Sequence, residues 1–262
     1  MPGWCRIVHH EEEVMGTVVT IDLFGDPSGE GVARLVGEAC DVLRDADDVF
    51  STWRPDSPIS RLRRGELTVE AAPAAVGEVL RRCADARTRS SGWFDPWAMP
   101  GGVDPTGYVK GWAAQEALSR LDAPGVRGTI VNAAGDIATR GRPAPGAPFR
   151  VGIVDPSGPS RLACVVELDG AIATSGTYER GAHLVDPRSG EPAAAAASAS
   201  VCGPDLGLCD ALATAVAVSG SVELVETLAG YEALVIGWDG GWRWTPRFPF
   251  ASRESGRATL TS

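Results

Sequence analysis

Histidine is scarce in this chain. There are three, and two of them, His9 and His10, lie within the first ten residues. His183 is the only one outside the N-terminal stretch, so imidazole chemistry in the body of the protein has a single position open to it. The six cysteines (Cys5, Cys40, Cys83, Cys164, Cys202, Cys209) include no CxxC pair, which argues for isolated buried thiols over a zinc site or a disulfide framework. No apolar run approaches the length of a membrane span. MPGWCRIVHHEEEVMG lacks the apolar core of an export signal, and no apolar run precedes Cys5 as lipid attachment would require. The expected location is therefore cytoplasmic. Positive charge is also in deficit: the formal net charge of −10 counts against nucleic acid or an anionic membrane as main partner. An anionic nucleotide would need a local cation, either Mg²⁺ or a placed lysine. Absent too are the Gly-Lys-Ser/Thr ending of a Walker A loop, a Rossmann glycine fingerprint, a GxSxG elbow and any internal repeat.

What is present is a globular composition. With 262 residues, 44% of them hydrophobic and 22% charged, the chain has enough apolar material for one large or two small domains and is not disordered. The β-branched run VMGTVVTIDL (14–23) reads as an opening strand. Apolar positions at helical spacing predict helices over 31–50, 74–90, 109–121, 208–219 and 222–228. Pro55 and Pro58 make 51–62 a loop. Strands are expected in GTIVNAAGDIATRG (two, about a small-residue turn), FRVGIVD, ACVVELDG and SASVCG, with a closing hairpin of ALVIGW and GWRWTP across Asp239-Gly240. Frequent hairpins favour an α+β domain with mixed or antiparallel sheets over a doubly wound parallel one. The expected organisation is an N-terminal tail over 1–13, one domain over 14–250 and a polar tail over 251–262.

Four segments carry candidate chemistry. In IATSGTYERGAHLVDPRSG (172–190), His183 stands beside Asp186 among small and hydroxyl residues, and a neutral imidazole there is a candidate general base. A structural loop histidine explains the same residue. In DALAT (210–214), Asp210 and Thr214 share a helix face, an oxygen-donor half-site suited to Mg²⁺. Burying an aspartate in so apolar a helix is costly unless it is paired or metal-bound. DPTGYVKG (104–111) places Asp104 and Lys110 about a helix start, where anions are favoured, although a capping aspartate and a solvated lysine fit equally. In VNAAGDIATRG, Gly135 permits a sharp turn or close approach to a ligand before Asp136, and a plain hairpin explains both. The loop aromatics Trp53, Trp93, Phe94 and Trp97 are candidates for a slot around a planar ring, with core packing as the alternative.

Taken in order, MGTVVTIDL, FSTWRPDSPISRL, GWFDP, VDPTGYVKGWAAQEAL, IVNAAGDIATRG, IATSGTYERGAHLVDPRSGEP and DALATAVAVSG resemble the FAD:protein FMN transferases, the ApbE-like flavin transferases, over residues 14–221. The resemblance implies a single α+β unit holding FAD in a cleft. It also implies Mg²⁺-dependent transfer of FMN from FAD to a Thr or Ser hydroxyl of an acceptor flavoprotein, with release of AMP. Carried over position by position, it makes Met15, Trp53, Trp93, Phe94, Asp95, Asp104, Lys110 and Val185 FAD contacts. Gly107 would offer a backbone carbonyl to the metal, Asp210 and Thr214 their side chains, and Ala213 stands where the family has a second aspartate or a small residue. His183 would act as base. Two departures stand out: Ala134 replaces the first glycine of the family's Gly-Gly-Asp, and the segment between Asp95 and Asp104 is short. An FAD pyrophosphatase giving FMN and AMP, and a non-catalytic FAD-binding protein, are the alternatives.

Overall fold

The computed structural model describes residues 5–26, 31–158, 160–176 and 184–252. Its frame is an eight-stranded antiparallel sheet in the order β1-β2-β3-β4-β7-β8-β9-β10. The strands are β1 (Cys5–Val14), β2 (Thr17–Gly25), β3 (Val126–Ala133), β4 (Asp136–Gly141), β7 (Ala171–Gly176), β8 (Ser198–Gly203), β9 (Glu232–Ile236) and β10 (Trp242–Trp244). A separate hairpin, β5 (Phe149–Val154) with β6 (Leu162–Leu168), completes the strands. The α+β expectation with antiparallel pairing holds.

Side-chain alternation gives the sheet two apolar faces. Ala138, Ala171, Ala173, Val201, Ala233 and Val235 point to the helical layer. Their neighbours Ile137, Ile172, Cys202 and Leu234 point the other way, into a smaller core closed by Phe149, Val151, Ile153, Val166 and Leu168 of the β5–β6 hairpin. The small residues on the first face let helices come close. Those helices are α1 (Val32–Phe50), α2 (Pro58–Arg63), α3 (Ala74–Arg89), α4 (Thr106–Arg120), α5 (Leu206–Ser219) and the one-turn α6 (Glu223–Glu226). The apolar stripe of α1 is buried along its whole length, from Val32 to Phe50.

The closest helix contact is α4 on α5. A Cβ on Gly111 would lie 2.5 Å from the Leu206 carbonyl oxygen, and one on Gly207 would lie 2.7 Å from Tyr108 Cζ. Glycine at both positions is what allows the two backbones to meet. Asp205 caps α5, its carboxylate accepting from the Leu208 N–H at 2.8 Å, and Gly220 ends the helix with a left-handed φ of 72°.

The structure departs from the expected elements in four places. The opening strand is a hairpin: β1 and β2 turn about Met15-Gly16, so the glutamate-rich stretch expected as tail is an edge strand, where charge prevents further pairing. Pro58 does not break a helix but starts α2 at its first turn, with the Ser57 hydroxyl accepting from the Ser60 N–H. α4 begins at Thr106, three residues before the apolar periodicity becomes visible, which places Gly107 inside its first turn. Residues 171–176, read only for their chemistry, form β7, the strand joining β4 to β8.

Candidate active site

Strand register gathers several candidate segments at one end of the sheet. The Met15-Gly16 turn opens β2, and Val19 of β2 pairs with Ala133, the last residue of β3. Ala134-Gly135 then turns into β4, and β7 runs out at the same end through Thr174, Ser175 and Gly176. Met15 (φ 54°) and Ala134 (φ 50°) each take the left-handed conformation ahead of a glycine, as in a type I′ turn, and neither is the residue that conformation prefers. Two adjacent turns thus carry backbone strain at one edge of the molecule.

Immediately behind these turns lies a buried charged group. The Asp136 side chain is 1% exposed and its Oδ2 is 2.6 Å from Lys110 Nζ. Its Oδ1 accepts from the Thr174 N–H at 3.4 Å. Asp210, on α5, is also buried, and the Gly111 N–H donates to its Oδ2 at 3.3 Å. Burial, and then the Asp136 carboxylate, push the Asp210 carboxyl well above the usual carboxylate range, while Lys110 and the Gly111 N–H pull it down. Two carboxylates therefore share one ammonium in a low-dielectric site.

One turn along α5, Thr214 Oγ1 lies 3.2 Å from Ser175 Oγ, and Thr174 Oγ1 lies 2.8 Å from Ser200 Oγ. Gly107 faces the same point: a Cβ there would be 3.6 Å from Thr214 Oγ1 and 3.3 Å from Phe94 Cε2. The structure so brings Gly107, Phe94, Lys110, Asp210 and Thr214 together. Ala213, fully buried, adds a methyl group and no side-chain donor.

The remaining candidates sit around this centre in their own interactions. Asp104 accepts from the Thr106 N–H (3.0 Å) and hydroxyl (2.7 Å), and pairs with Arg63 at 3.1 Å. Pro105 is the N-cap of α4, so Asp104 stands one residue before the cap and steadies the first turn through Thr106, and Lys110 is held in the buried pair instead of being solvated. Asp95 caps the single turn Pro96–Ala98 through the Trp97 N–H and pairs with Arg87 at 2.6 Å. Its loop is tied to the next, since the Asp104 N–H donates to the Pro96 carbonyl at 2.8 Å. Arg188, from the turn after Val185-Asp186, lies over the Trp93 ring at 3.7 Å from the centroid. That contact brings the DPRSG segment against the GWFDP segment. Val185 itself bridges to Pro192.

The loop aromatics are not one slot. Phe94 is buried, Trp93 is half-buried, Trp97 is exposed, and Trp53 beyond the end of α1 is 94% exposed. His183 lies outside the described residues.

The sequence sets Asp136 beside a turn without giving it a role, and Ser175 is not among the candidates it offers. A usable signal existed for the first: Lys110 is the only lysine in the chain. A protein that meets nearly all its cationic needs with arginine keeps lysine where a compact ammonium is required.

Comparison with known proteins bears on this arrangement. The ApbE family matches over residues 15–101 and 99–235. The chain belongs to the ApbE family. An FAD:protein FMN transferase of Rhodobacter capsulatus is 35% identical over 127 residues, 45% of this chain but 24% of that protein. This chain therefore matches about a quarter of that relative's length. An FAD:protein FMN transferase of Vibrio cholerae is 25% identical over 244 residues, covering 71% of this chain and 73% of that protein. Among solved structures, the flavin transferase ApbE from Vibrio cholerae superposes with a TM-score of 0.78 at 23% identity, covering 90% of this chain and 96% of that one. At that identity the likeness establishes the ApbE fold as a single α+β unit.

The donor chemistry at the centre suits the metal that the family resemblance implies. Carboxylate, hydroxyl and backbone carbonyl are all hard oxygen donors, as Mg²⁺ requires. The Asp210 carboxyl, buried beside a second carboxyl and pushed well above the usual range even with Lys110 nearby, is a group whose charged form a bound cation would favour.

Proposed function

We propose that this ApbE-family chain transfers FMN from FAD to a Thr or Ser hydroxyl of an acceptor flavoprotein and releases AMP. The observation that carries the reading is the buried group of Asp136, Lys110 and Asp210 beside the Ser175–Thr214 hydroxyl pair. A carboxyl buried against a second carboxyl is held at a cost to the fold and has a use where a cation and a pyrophosphate must be held together.

In this reading Asp210 and Thr214, with the Gly107 carbonyl, hold Mg²⁺. The ion, when bound, offsets negative charge on the pyrophosphate and on departing AMP. Lys110, fixed by Asp136, presents a point charge near the same phosphates and cannot drift from the site. Met15, Trp53, Trp93, Phe94, Asp95, Asp104 and Val185 line the approach of FAD, so that binding energy remote from phosphorus orients it. The acceptor hydroxyl oxygen forms the new bond to the FMN phosphorus as the phosphorus–oxygen bond to AMP breaks. His183 takes the hydroxyl proton. Asp104 and Asp95 stabilise two neighbouring loops through Arg63 and Arg87, and so keep that approach in shape.

Incubation with FAD and Mg²⁺, with and without an acceptor domain bearing a Thr/Ser flavinylation motif, tests this by mass spectrometry. One flavin mononucleotide joined to the acceptor, with AMP in equal amount, is the expected result. Free FMN and AMP beside an unmodified acceptor would make water the nucleophile and the protein an FAD pyrophosphatase. Intact FAD throughout would leave a binding protein.

A further inference from the structure

Along β1, the residues on one face run Val8, His10, Glu12, Val14. This is the core-facing row: His10 lies opposite Ile21 and Glu12 opposite Val19 in the register, and both partners on β2 are fully buried. Val14 belongs to the main apolar core and Val8 packs against it. A half-buried strand normally fills such a row with apolar side chains. Two consecutive positions instead carry a histidine and a glutamate, whose side chains are 37% and 13% exposed. The residue facing them from α1 is Cys40, 2% exposed. His10 nitrogen, Glu12 oxygen and Cys40 sulfur all lie within 4.8 Å of one another.

We infer that His10, Glu12 and Cys40 form a binding site for a divalent transition metal of the zinc type, separate from the flavin site. Imidazole, carboxylate and thiolate are a borderline-soft set that suits Zn²⁺ or Co²⁺ and is ill matched to Mg²⁺. Ligands bound tetrahedrally to one zinc stand about 3.5 Å apart, so rotamer adjustments suffice to close the present spacing. The ligands also come from rigid elements, two from one strand and one from mid-helix. Arg44 now pairs with Glu12 at 2.8 Å and with Asp41 at 3.0 Å. It can leave Glu12 and keep Asp41, which removes the competing cation without stranding it. Water completes the coordination from the exposed side of His10. On binding, the Cys40 thiol gives its proton to solvent and no redox change occurs. The result is a clip from the edge strand β1 to α1.

Cobalt titration of the full chain, freed of metal beforehand, tests the site without reference to flavin transfer. One equivalent of Co²⁺ giving a near-ultraviolet thiolate-to-metal band, displaced by Zn²⁺, is expected. The band disappears in Cys40→Ser. Affinity falls by about tenfold or more in His10→Gln and in Glu12→Gln, since even loss of a group supporting a ligand costs that much. His10→Gln is half-exposed and serves where Cys40→Ser proves unstable. Asp210→Ala and Cys164→Ser retain the band, and Zn²⁺ raises the melting temperature of the natural protein but not of Cys40→Ser. Absence of a thiolate band, or its survival in Cys40→Ser, would overturn the proposal and leave Glu12 held by Arg44 and His10 with no metal among them.

Discussion

Asp210 is a carboxyl buried in an apolar helix beside a second carboxyl. Its carboxyl is pushed well above the usual range, first by burial and then by Asp136. In the unfolded chain the same group ionises near about 3.9. Between those two values the folded, metal-free protein holds a proton that the unfolded chain has lost, so its stability falls as the pH rises through that window. Asp210→Asn removes the dependence. Denaturant melts of metal-free protein at a series of pH values are expected to show a declining midpoint for the natural sequence and a flatter line for the variant. Asp136 makes a separate prediction. Asp136→Asn keeps the shape but loses the charge that holds Lys110 at 2.6 Å, so turnover and FAD binding both fall while the fold persists. Kinetics with far-ultraviolet circular dichroism on the same sample checks it. Ala134 is strained for a simpler reason: at φ 50° a Cβ is unwelcome, and Ala134→Gly is expected to stabilise by about 1 kcal/mol in chemical denaturation. The sequence made Asp210 legible, because an aspartate in an otherwise apolar helix calls for an explanation. It did not reveal the Lys110–Asp136 pair, since those residues meet only when α4 packs over β4.

Among the elements, α4 and α5 set the site, because Gly107, Lys110 and Gly111 on one meet Asp210 and Thr214 on the other. Their separation depends on Gly111. Gly111→Ala would drive a methyl group to 2.5 Å from the Leu206 oxygen, so the helices must part. The expected cost is about 1–3 kcal/mol, with a larger proportional loss of Mg²⁺-dependent activity than of stability. Thermal melts and turnover measured side by side check both. Long amphipathic helices were readable from apolar spacing, and α1 and α3 appear with boundaries shifted by a residue. What local pattern missed has a common cause. β7 lies in the middle of the sheet and is written in small residues, Ala-Ile-Ala-Thr-Ser-Gly, which carry little strand signal of their own. β1 hid behind its charges because an edge strand is selected for them.

For the whole molecule, the sheet does two jobs at once. Its small-residue face accepts close helices, and one of its ends collects the Met15 and Ala134 turns, Asp136 and the β7 hydroxyls under those helices. Seven short motifs in order made the family visible in the sequence before any element was placed, and the ApbE match over residues 15–101 and 99–235 agrees. Chain order cannot show which motifs share a centre. Phe94, Gly107, Lys110, Asp210 and Thr214 converge, whereas Trp53 stands 94% exposed beyond the end of α1. The central claim is that the buried Asp210 group serves flavin transfer. The most direct test is the mass of an acceptor domain after incubation with FAD and either the natural protein or Asp210→Ala, across a Mg²⁺ series. The account predicts flavinylation that rises with Mg²⁺ for the natural protein and stays absent in the folded variant. Equal flavinylation by the two, or flavinylation undiminished by chelation of Mg²⁺, would contradict it.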